Sequence, residues 1–183
     1  MFKSIIATAM VGFVLLGVSC STPEKTKTAE TTGIDSGVTV TASVFENKAA
    51  GGWGDFPPEK TIDRDLDKKS SWRAEVHEKD KGQWIKYDIG TARELTHVKI
   101  AFLSGSQRYY DFKINLSTDN QEWPQVFIGK NSGTTDSLEV FDFVDTKARY
   151  VMLTGFGNAN VDTTKENKFA KWFNIVETEI YYK

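Results

Sequence analysis

Apolar and polar residues alternate along most of the chain after residue 37. In residues 38–44 every second position is Val or Ala, and the same period of two recurs in residues 98–102 and 110–116. This period is typical of a strand with one buried face, whereas an amphipathic helix repeats its apolar positions every three to four residues. Further segments that read as strands are residues 83–90, 126–128, 138–143, 150–153 and 175–181.

Short clusters of Gly, Ser, Asn and Asp separate these segments, for example residues 104–106, 118–120 and 131–133. Such clusters are typical of turns. Many short strands between turns favour an antiparallel sandwich or barrel. We therefore predict an all-β fold, and residues 38–183 are enough for one domain of this kind.

The first twenty residues have a different pattern. Lys3 precedes an apolar run at residues 5–18, and small residues then lead to Cys20, the only cysteine in the chain. The run is shorter than the roughly 20 residues that span a bilayer, so residues 1–19 are predicted to be a signal peptide. The arrangement resembles a bacterial lipoprotein signal, although Gly17 stands where such signals usually have Leu. The resemblance implies that Cys20 is lipidated and anchors the protein in the bacterial cell envelope, at the surface of the outer membrane. The alternative is an ordinary signal peptide with an incidental cysteine.

Residues 20–37 are rich in Thr, Lys, Glu, Ser and Gly, and Ile34 is their one large apolar residue. This composition cannot bury enough apolar surface to fold, so we predict a flexible tether. The net charge of the whole chain is −2. It gives no global attraction to nucleic acid, and an anionic ligand would need a local basic cluster.

Six motifs occur in the order and at the distances found in discoidin domains, the coagulation factor five/eight type C family. The chain resembles this family over residues 39–182. The resemblance implies a jelly-roll β-sandwich of about eight strands that binds ligands through loops at one end and does not usually catalyse. The motifs are residues 61–63 with 70–72, 83–90, 98–102, 112–119 with Trp123, 148–151 and 176–180.

A narrower resemblance lies within this one. Residues 105–112, 132–135, 155–158 and 172–174 look like the family-32 type of carbohydrate-binding module, in the branch attached to alginate lyases. It implies a polysaccharide ligand, and an acidic, uronate-containing polymer is favoured. Polysaccharide-degrading enzymes or transporters are further partners to expect.

Two tryptophans are candidates to stack on sugar rings. Trp53 lies between strands and is flanked by glycines that let its side chain project. Trp172 ends a long polar loop before the last strand. The alternative for both is packing in the core.

Four polar side chains are candidates to bind a uronic acid. Arg73 and Arg108 lie at predicted loops, and an arginine holds a carboxylate through two parallel hydrogen bonds. Asn158 and Gln107 are candidates to bond sugar hydroxyls. The alternative is that the two arginines are solvated surface charges.

A structural Ca²⁺ site is implied by the discoidin resemblance, with Asp63, Ser70 and Glu177 at the matching positions. Oxygen ligands of this kind suit Ca²⁺. Arg64 departs from the family's usual Gly. An EF-hand is excluded because Lys68 and Ala74 replace its required Gly and Glu. The alternative is a solvated acidic turn.

The two histidines, His77 and His97, lie in no recognisable metal or triad motif. We therefore predict a surface-anchored, non-catalytic carbohydrate-binding lipoprotein. The first alternative is a protein–protein adhesion module, for which Trp53 with Phe56 would supply the apolar patch. The second alternative is a polysaccharide lyase or hydrolase.

Overall fold

The computed structural model describes residues 31–32 and 37–183. The predicted signal peptide and lipidated Cys20 lie outside the described residues, as does most of the predicted tether. Residues 31–32 fall within the tether range and pair with the last strand of the domain. Within the described ranges, no helix has the length and apolar character needed to cross a membrane.

The described chain forms eight strands and two short 3-10 helices, Lys48–Ala50 and Pro58–Thr61. Every strand pairing is antiparallel. The all-β prediction is therefore confirmed, and the strand number agrees with a jelly-roll sandwich. The strands are β1 (Thr31–Thr32), β2 (Thr39–Ala42), β3 (Trp72–Glu75), β4 (Gln83–Phe102), β5 (Arg108–Ser117), β6 (Gln125–Lys130), β7 (Glu139–Asn160) and β8 (Trp172–Tyr182).

Two strands are much longer than the alternation in the sequence suggests. Residues 83–90 and 98–102 belong to one strand, β4, and residues 138–143 and 150–153 fall almost entirely within β7. The pairing of β4 with β7 shifts register between Asp88 and Arg93, where Gly90 has a φ of +81°. This irregularity bends the pair, so that β4 and β7 take part in both halves of the sandwich.

Aromatic rings fill the space between the two halves. Phe102 stacks on Tyr110 at a centroid distance of 5.1 Å and meets Phe141 edge-on at 6.1 Å. Phe112 and Phe173 are buried in the same cluster. Each such side chain removes a large apolar area from water, which is the main stabilising term of the fold. This rigid core fixes the strand ends from which the loops emerge.

Candidate functional site

Four of the six residues predicted to bind ligand lie around one cavity at the loop end of the sandwich. This central cavity has a volume of about 210 Å³, and Trp53, Arg73, Arg108 and Trp172 line it. The structure thus brings together residues that are up to 119 positions apart in the chain. The other lining residues are Glu46, Leu103, Ser104, Phe169 and Asn174.

Trp53 projects from a loop that its own hydrogen bonds shape. The side chain of Asn47 caps the short helix Lys48–Ala50, and Gly51 ends that helix in the left-handed conformation at φ +88°. The Trp53 N–H donates to the Glu46 carboxylate at 2.9 Å. The Trp53 side chain remains 79% exposed. A large aromatic face is therefore presented to solvent by an ordered loop.

Arg73 is held in place by three contacts, none of which is with a carboxylate. Its guanidinium lies 3.6 Å from the centroid of the Phe56 ring. Its Nε donates to Ser71 Oγ at 3.0 Å, and one terminal nitrogen donates to the Lys68 carbonyl at 3.1 Å. Burial lowers the pKa of Arg73 below its usual value, the Glu46 carboxylate opposes this, and nearby Arg108 lowers it further. Two cationic groups therefore lie close enough to repel each other.

Arg108 opens strand β5, and its guanidinium lies 5.0 Å from the Phe169 ring centroid. Among the residues that the structure describes, neither Arg73 nor Arg108 forms an ion pair with a carboxylate. Arginine keeps its charge at any ordinary pH. Their mutual repulsion would fall if an anion entered the cavity.

Asn158 has a different place from the other predicted ligand residues. It is buried, and its amide nitrogen donates to the carbonyls of Phe169 and Trp172, both at 2.7 Å. Its side-chain oxygen accepts a hydrogen bond from Asn167 at 2.9 Å. These contacts tie both ends of the 158–172 loop together. This geometry indicates that Asn158 holds the loop in place and does not contact a ligand.

Gln107 lies outside the central cavity, in a second cavity of about 530 Å³. We call this the lysine-side cavity because Lys165 and Lys168 line its outer wall. It shares Arg108 and Phe169 with the central cavity. Gln107 is exposed there, so its amide is accessible to solvent.

Phe169 and Glu46 line the central cavity and are absent from the sequence prediction. Phe169 meets Trp53 edge-on at a centroid distance of 6.4 Å. It is the one aromatic residue in the polar segment 159–171, which is a signal that could have pointed to it. Glu46 follows a predicted strand with no distinguishing pattern, so nothing in the sequence marks it.

The predicted calcium ligands also lie together, beside the start of the acidic turn after Thr61. Ser70 Oγ donates to the Asp63 carboxylate, while the Lys60 ammonium lies 3.5 Å from the same carboxylate. The Arg64 N–H donates to Glu177 Oε2 at 2.9 Å, and Arg64 itself has a φ of +63°. Glu177 is only 2% exposed, and its Oε1 is buried with no hydrogen-bond partner.

The electrostatics of Glu177 would suit a neighbouring cation. Burial raises its pKa from the ordinary value of 4.5 to about 8, and the nearby charge of Asp63 adds to that increase. No group of three or more His, Cys, Asp or Glu is arranged for a metal within the described residues. The two carboxylates and the Ser70 hydroxyl are hard oxygen ligands of the kind that Ca²⁺ takes.

The two histidines lie in different parts of the described domain. His77 is exposed at a third cavity of about 360 Å³, which we call the glutamate-side cavity because Glu46 and Glu75 line it. His97 stacks on Tyr181 at 4.3 Å on strands β4 and β8. Neither His97 nor Tyr181 lines the central, lysine-side or glutamate-side cavity.

Comparison with solved structures gives two relatives above 30% identity. The first is the CBM32 of AlyQ in complex with 4,5-unsaturated mannuronic acid, with 33% identity and a TM-score of 0.64, covering 79% of this chain and 95% of that chain. The second is truncated AlyQ with CBM32 and alginate lyase domains, with 32% identity and a TM-score of 0.67, covering 84% of this chain and 34% of that chain.

A more distant structure supports the fold alone. It is the family 32 CBM from C. perfringens NanJ in complex with galactose, with 17% identity and a TM-score of 0.61, covering 84% of this chain and 99% of that chain. No curated protein matches the chain significantly. The family model for the F5/8 type C domain matches residues 39–175. The discoidin prediction is confirmed: the chain belongs to the F5/8 type C domain family and has the fold of a CBM32 carbohydrate-binding module.

Proposed function

We propose that the protein is a non-catalytic lipoprotein that holds an acidic, uronate-containing polysaccharide at the bacterial cell surface. The observation that carries this proposal is the pair Arg73 and Arg108, which share the central cavity and form no ion pair with a carboxylate among the described residues. Glu46, the acidic residue that lines the same cavity, accepts a hydrogen bond from the Trp53 N–H. A uronic acid has one carboxylate on each ring. That carboxylate can form the direct ion pair that neither arginine makes within the described residues.

The aromatic wall of the same cavity suits the rest of the sugar. Trp53 is exposed, and Phe169 is set edge-on against it. The C–H faces of a pyranose ring are apolar and pack against aromatic side chains, while polar groups at the edge fix its orientation. The central cavity thus offers one apolar and one cationic surface to the same ring.

The relative whose structure contains a bound sugar supports the choice of an acidic sugar. The CBM32 of AlyQ, at 33% identity, is seen with 4,5-unsaturated mannuronic acid. The same module occurs in AlyQ beside an alginate lyase domain. We propose by analogy that alginate-like polymers are the ligands here, and that degrading enzymes or transporters at the cell surface are the partners.

The binding-only function is part of the proposal. His77, the one histidine at the three cavities, is exposed in the glutamate-side cavity, and no tyrosine lines that cavity. The adhesion alternative has less support, because the Phe56 ring lies under the Arg73 guanidinium and so does not form a free apolar patch with Trp53.

Calcium has a structural role in this proposal. Asp63, Ser70 and Glu177 would hold the ion, which would supply positive charge to the orphaned Glu177 oxygen. Glu177 lies in β8 and Asp63 in the turn before β3, so these residues join the turn to the last strand. For the anchor we propose Cys20, with residues 21–30 as part of the tether.

Calorimetric titration with a uronate monosaccharide and with a neutral sugar tests the proposal. A single shallow site should bind the uronate with Kd on the order of 0.1–1 mM, or about −5 kcal/mol. Arg108→Gln removes a charged hydrogen bond and is expected to weaken uronate binding by about tenfold or more. Incubation with uronate polymers should release no unsaturated product.

Lys147→Gln is the matched control, because it removes the same charge from an exposed residue that lines none of the three cavities. Its uronate affinity should equal that of the wild type. Equal affinities for uronate and neutral sugar, or full binding by the Arg108 variant, would contradict the proposal. Melting curves of both variants show whether they remain folded.

A further inference from the structure

The central cavity is the middle one of three that adjoin at the loop end. The lysine-side cavity shares Arg108 and Phe169 with it, and the glutamate-side cavity shares Glu46, Trp53 and Trp172 with it. Phe169 therefore lies between the central and lysine-side cavities, and Trp53 lies between the central and glutamate-side cavities. A chain of sugars that fills the centre must continue into one of the two neighbours.

The volumes indicate that one ring does not use all of the available surface. The central cavity, at about 210 Å³, is smaller than the roughly 300–1,000 Å³ of most ligand sites. The lysine-side cavity, at about 530 Å³, lies within that range. Phe169 lines both of these cavities and can therefore contact two successive rings.

The charges of the two neighbouring cavities differ. Arg108, Lys165 and Lys168 line the lysine-side cavity and outnumber its acidic residues, Asp162 and Glu166. The Lys165 ammonium lies 3.2 Å from the Asp162 carboxylate, and the Lys168 ammonium lies 4.0 Å from the Glu166 carboxylate. Both ion pairs are exposed and therefore weak, and Arg108 leaves the cavity with a net positive charge. Glu46 and Glu75 line the glutamate-side cavity, and no Lys or Arg lies among its lining residues. A polyanion that leaves the central cavity is attracted on the first side and repelled on the second.

The wall of the lysine-side cavity is formed by a loop with many internal hydrogen bonds. The Val161 N–H donates to the Gln107 carbonyl at 2.9 Å, which joins the loop to the opposite wall. The Asn160 amide donates to the Lys165 carbonyl at 3.1 Å, and Asn158 holds the loop ends. Because the wall is ordered before binding, a ligand does not have to supply the free energy of ordering it.

We propose that the lysine-side cavity is a second subsite for a uronic acid. The protein then binds at least a uronate disaccharide, with one ring in the central cavity and the next beside Lys165 and Lys168. The bound polymer runs from the centre toward these lysines and does not cross Glu75. This inference rests on the proposed function, since it extends the same site.

The test is a calorimetric titration of the full domain with uronate oligosaccharides of one to four rings. The disaccharide is expected to bind about tenfold more tightly than the monosaccharide, and further rings should change Kd by less than about twofold. The double variant Lys165→Gln/Lys168→Gln should reduce the ratio of monosaccharide to disaccharide Kd toward one. Lys147→Gln should keep the wild-type ratio.

The outcomes separate this inference from the proposed function. If the monosaccharide binds in an Arg108-dependent manner but the disaccharide binds no better, only the second subsite is wrong. If no uronate binds at any length, both proposals are wrong. If the lysine double variant keeps the wild-type ratio, the second ring does not lie in the lysine-side cavity.

Glu75→Gln tests the direction of the chain. If the polymer avoids the glutamate-side cavity, this variant should bind trisaccharide and tetrasaccharide with wild-type affinity. A gain of more than about threefold for these longer ligands would show that the chain crosses Glu75 and would overturn the assigned direction.

Discussion

Two regions of the domain bring like charges together, and they differ in how well water can reach them. Arg73 and Arg108 share a cavity that is open at the loop end. Asp63 and Glu177 approach each other where the Glu177 side chain is almost fully buried. An open site can exchange its counter-ion with solvent, whereas a buried one is stable only with a resident partner. The first arrangement suits a ligand, and the second suits a structural ion.

The like charges in the two regions can also be neutralised in different ways. A guanidinium does not release its proton at ordinary pH, so only an anion can relieve the arginine pair. Glu177 can take up either a proton or a cation, since its pKa is raised to about 8. Protons and calcium should therefore compete for Glu177. At the arginine pair, proton release does not compete with anion binding.

The largest expected effect on stability is that of calcium removal. Chelation is expected to lower the melting temperature by about 5–10 °C relative to a calcium concentration a hundredfold above Kd, where binding contributes about 2.7 kcal/mol. The Glu177→Gln variant should lose this shift, and the exposed Glu122→Gln control should keep it. A melting temperature that chelation leaves unchanged in the wild type would contradict the calcium site.

The pH dependence of the calcium-free protein is an effect of comparable size. Because folding raises the pKa of Glu177 from 4.5 to about 8, the folded state binds the proton more tightly than the unfolded state. This contribution to the free energy of unfolding is fully present below pH 4.5 and is lost as the pH rises through 8. Urea unfolding in chelator between pH 5 and pH 9 measures it.

The Glu177→Gln variant has no such titration and should show a flatter profile over the same pH range. In the wild type, the calcium-induced increase in melting temperature should grow with pH, because the ion no longer displaces a proton. Identical profiles for the two proteins without calcium would show that Glu177 is ionised throughout, and would remove the contrast with the arginine pair.

The smallest expected effect comes from an arginine that already has its partner. Arg149 donates to both oxygens of Asp88, at 2.7 and 2.8 Å, and this contact lowers the pKa of Asp88. Arg149→Gln should therefore reduce the melting temperature slightly, as for other exposed ion pairs, and leave uronate affinity unchanged. Loss of uronate binding in this variant would show that general surface charge, and not the arginine pair, attracts the ligand.

The sequence predicted the fold more completely than the site. Alternation marked the strands because their two faces have different surroundings, but it could not show that residues 83–102 form a single strand. Their central part is polar, and pairing with β7 and, from Leu95 onward, with β8 holds it extended. The sequence placed Arg73 and Arg108 at loops, whereas the structure has them at the start of strands β3 and β5. Because the core fixes these strand ends, both side chains reach the central cavity.

The loops were harder to predict, since their side-chain roles depend on contacts between distant segments. Asn158 was expected to bond sugar, yet its amide groups are occupied by the Phe169 and Trp172 carbonyls and by Asn167. Phe169 was overlooked because its importance depends on Trp53, which is 116 positions away. No local pattern reports such a contact.

The pairing of β1 has a mechanical consequence. Thr31 and Thr32 join β8 at Tyr182 and Tyr181, whereas Trp172 at the other end of β8 lines the central cavity. Ten residue steps of an extended strand separate the two points by about 33 Å. If the proposed tether enters at Thr31, the central cavity lies at the far end of β8 and faces away from the anchor.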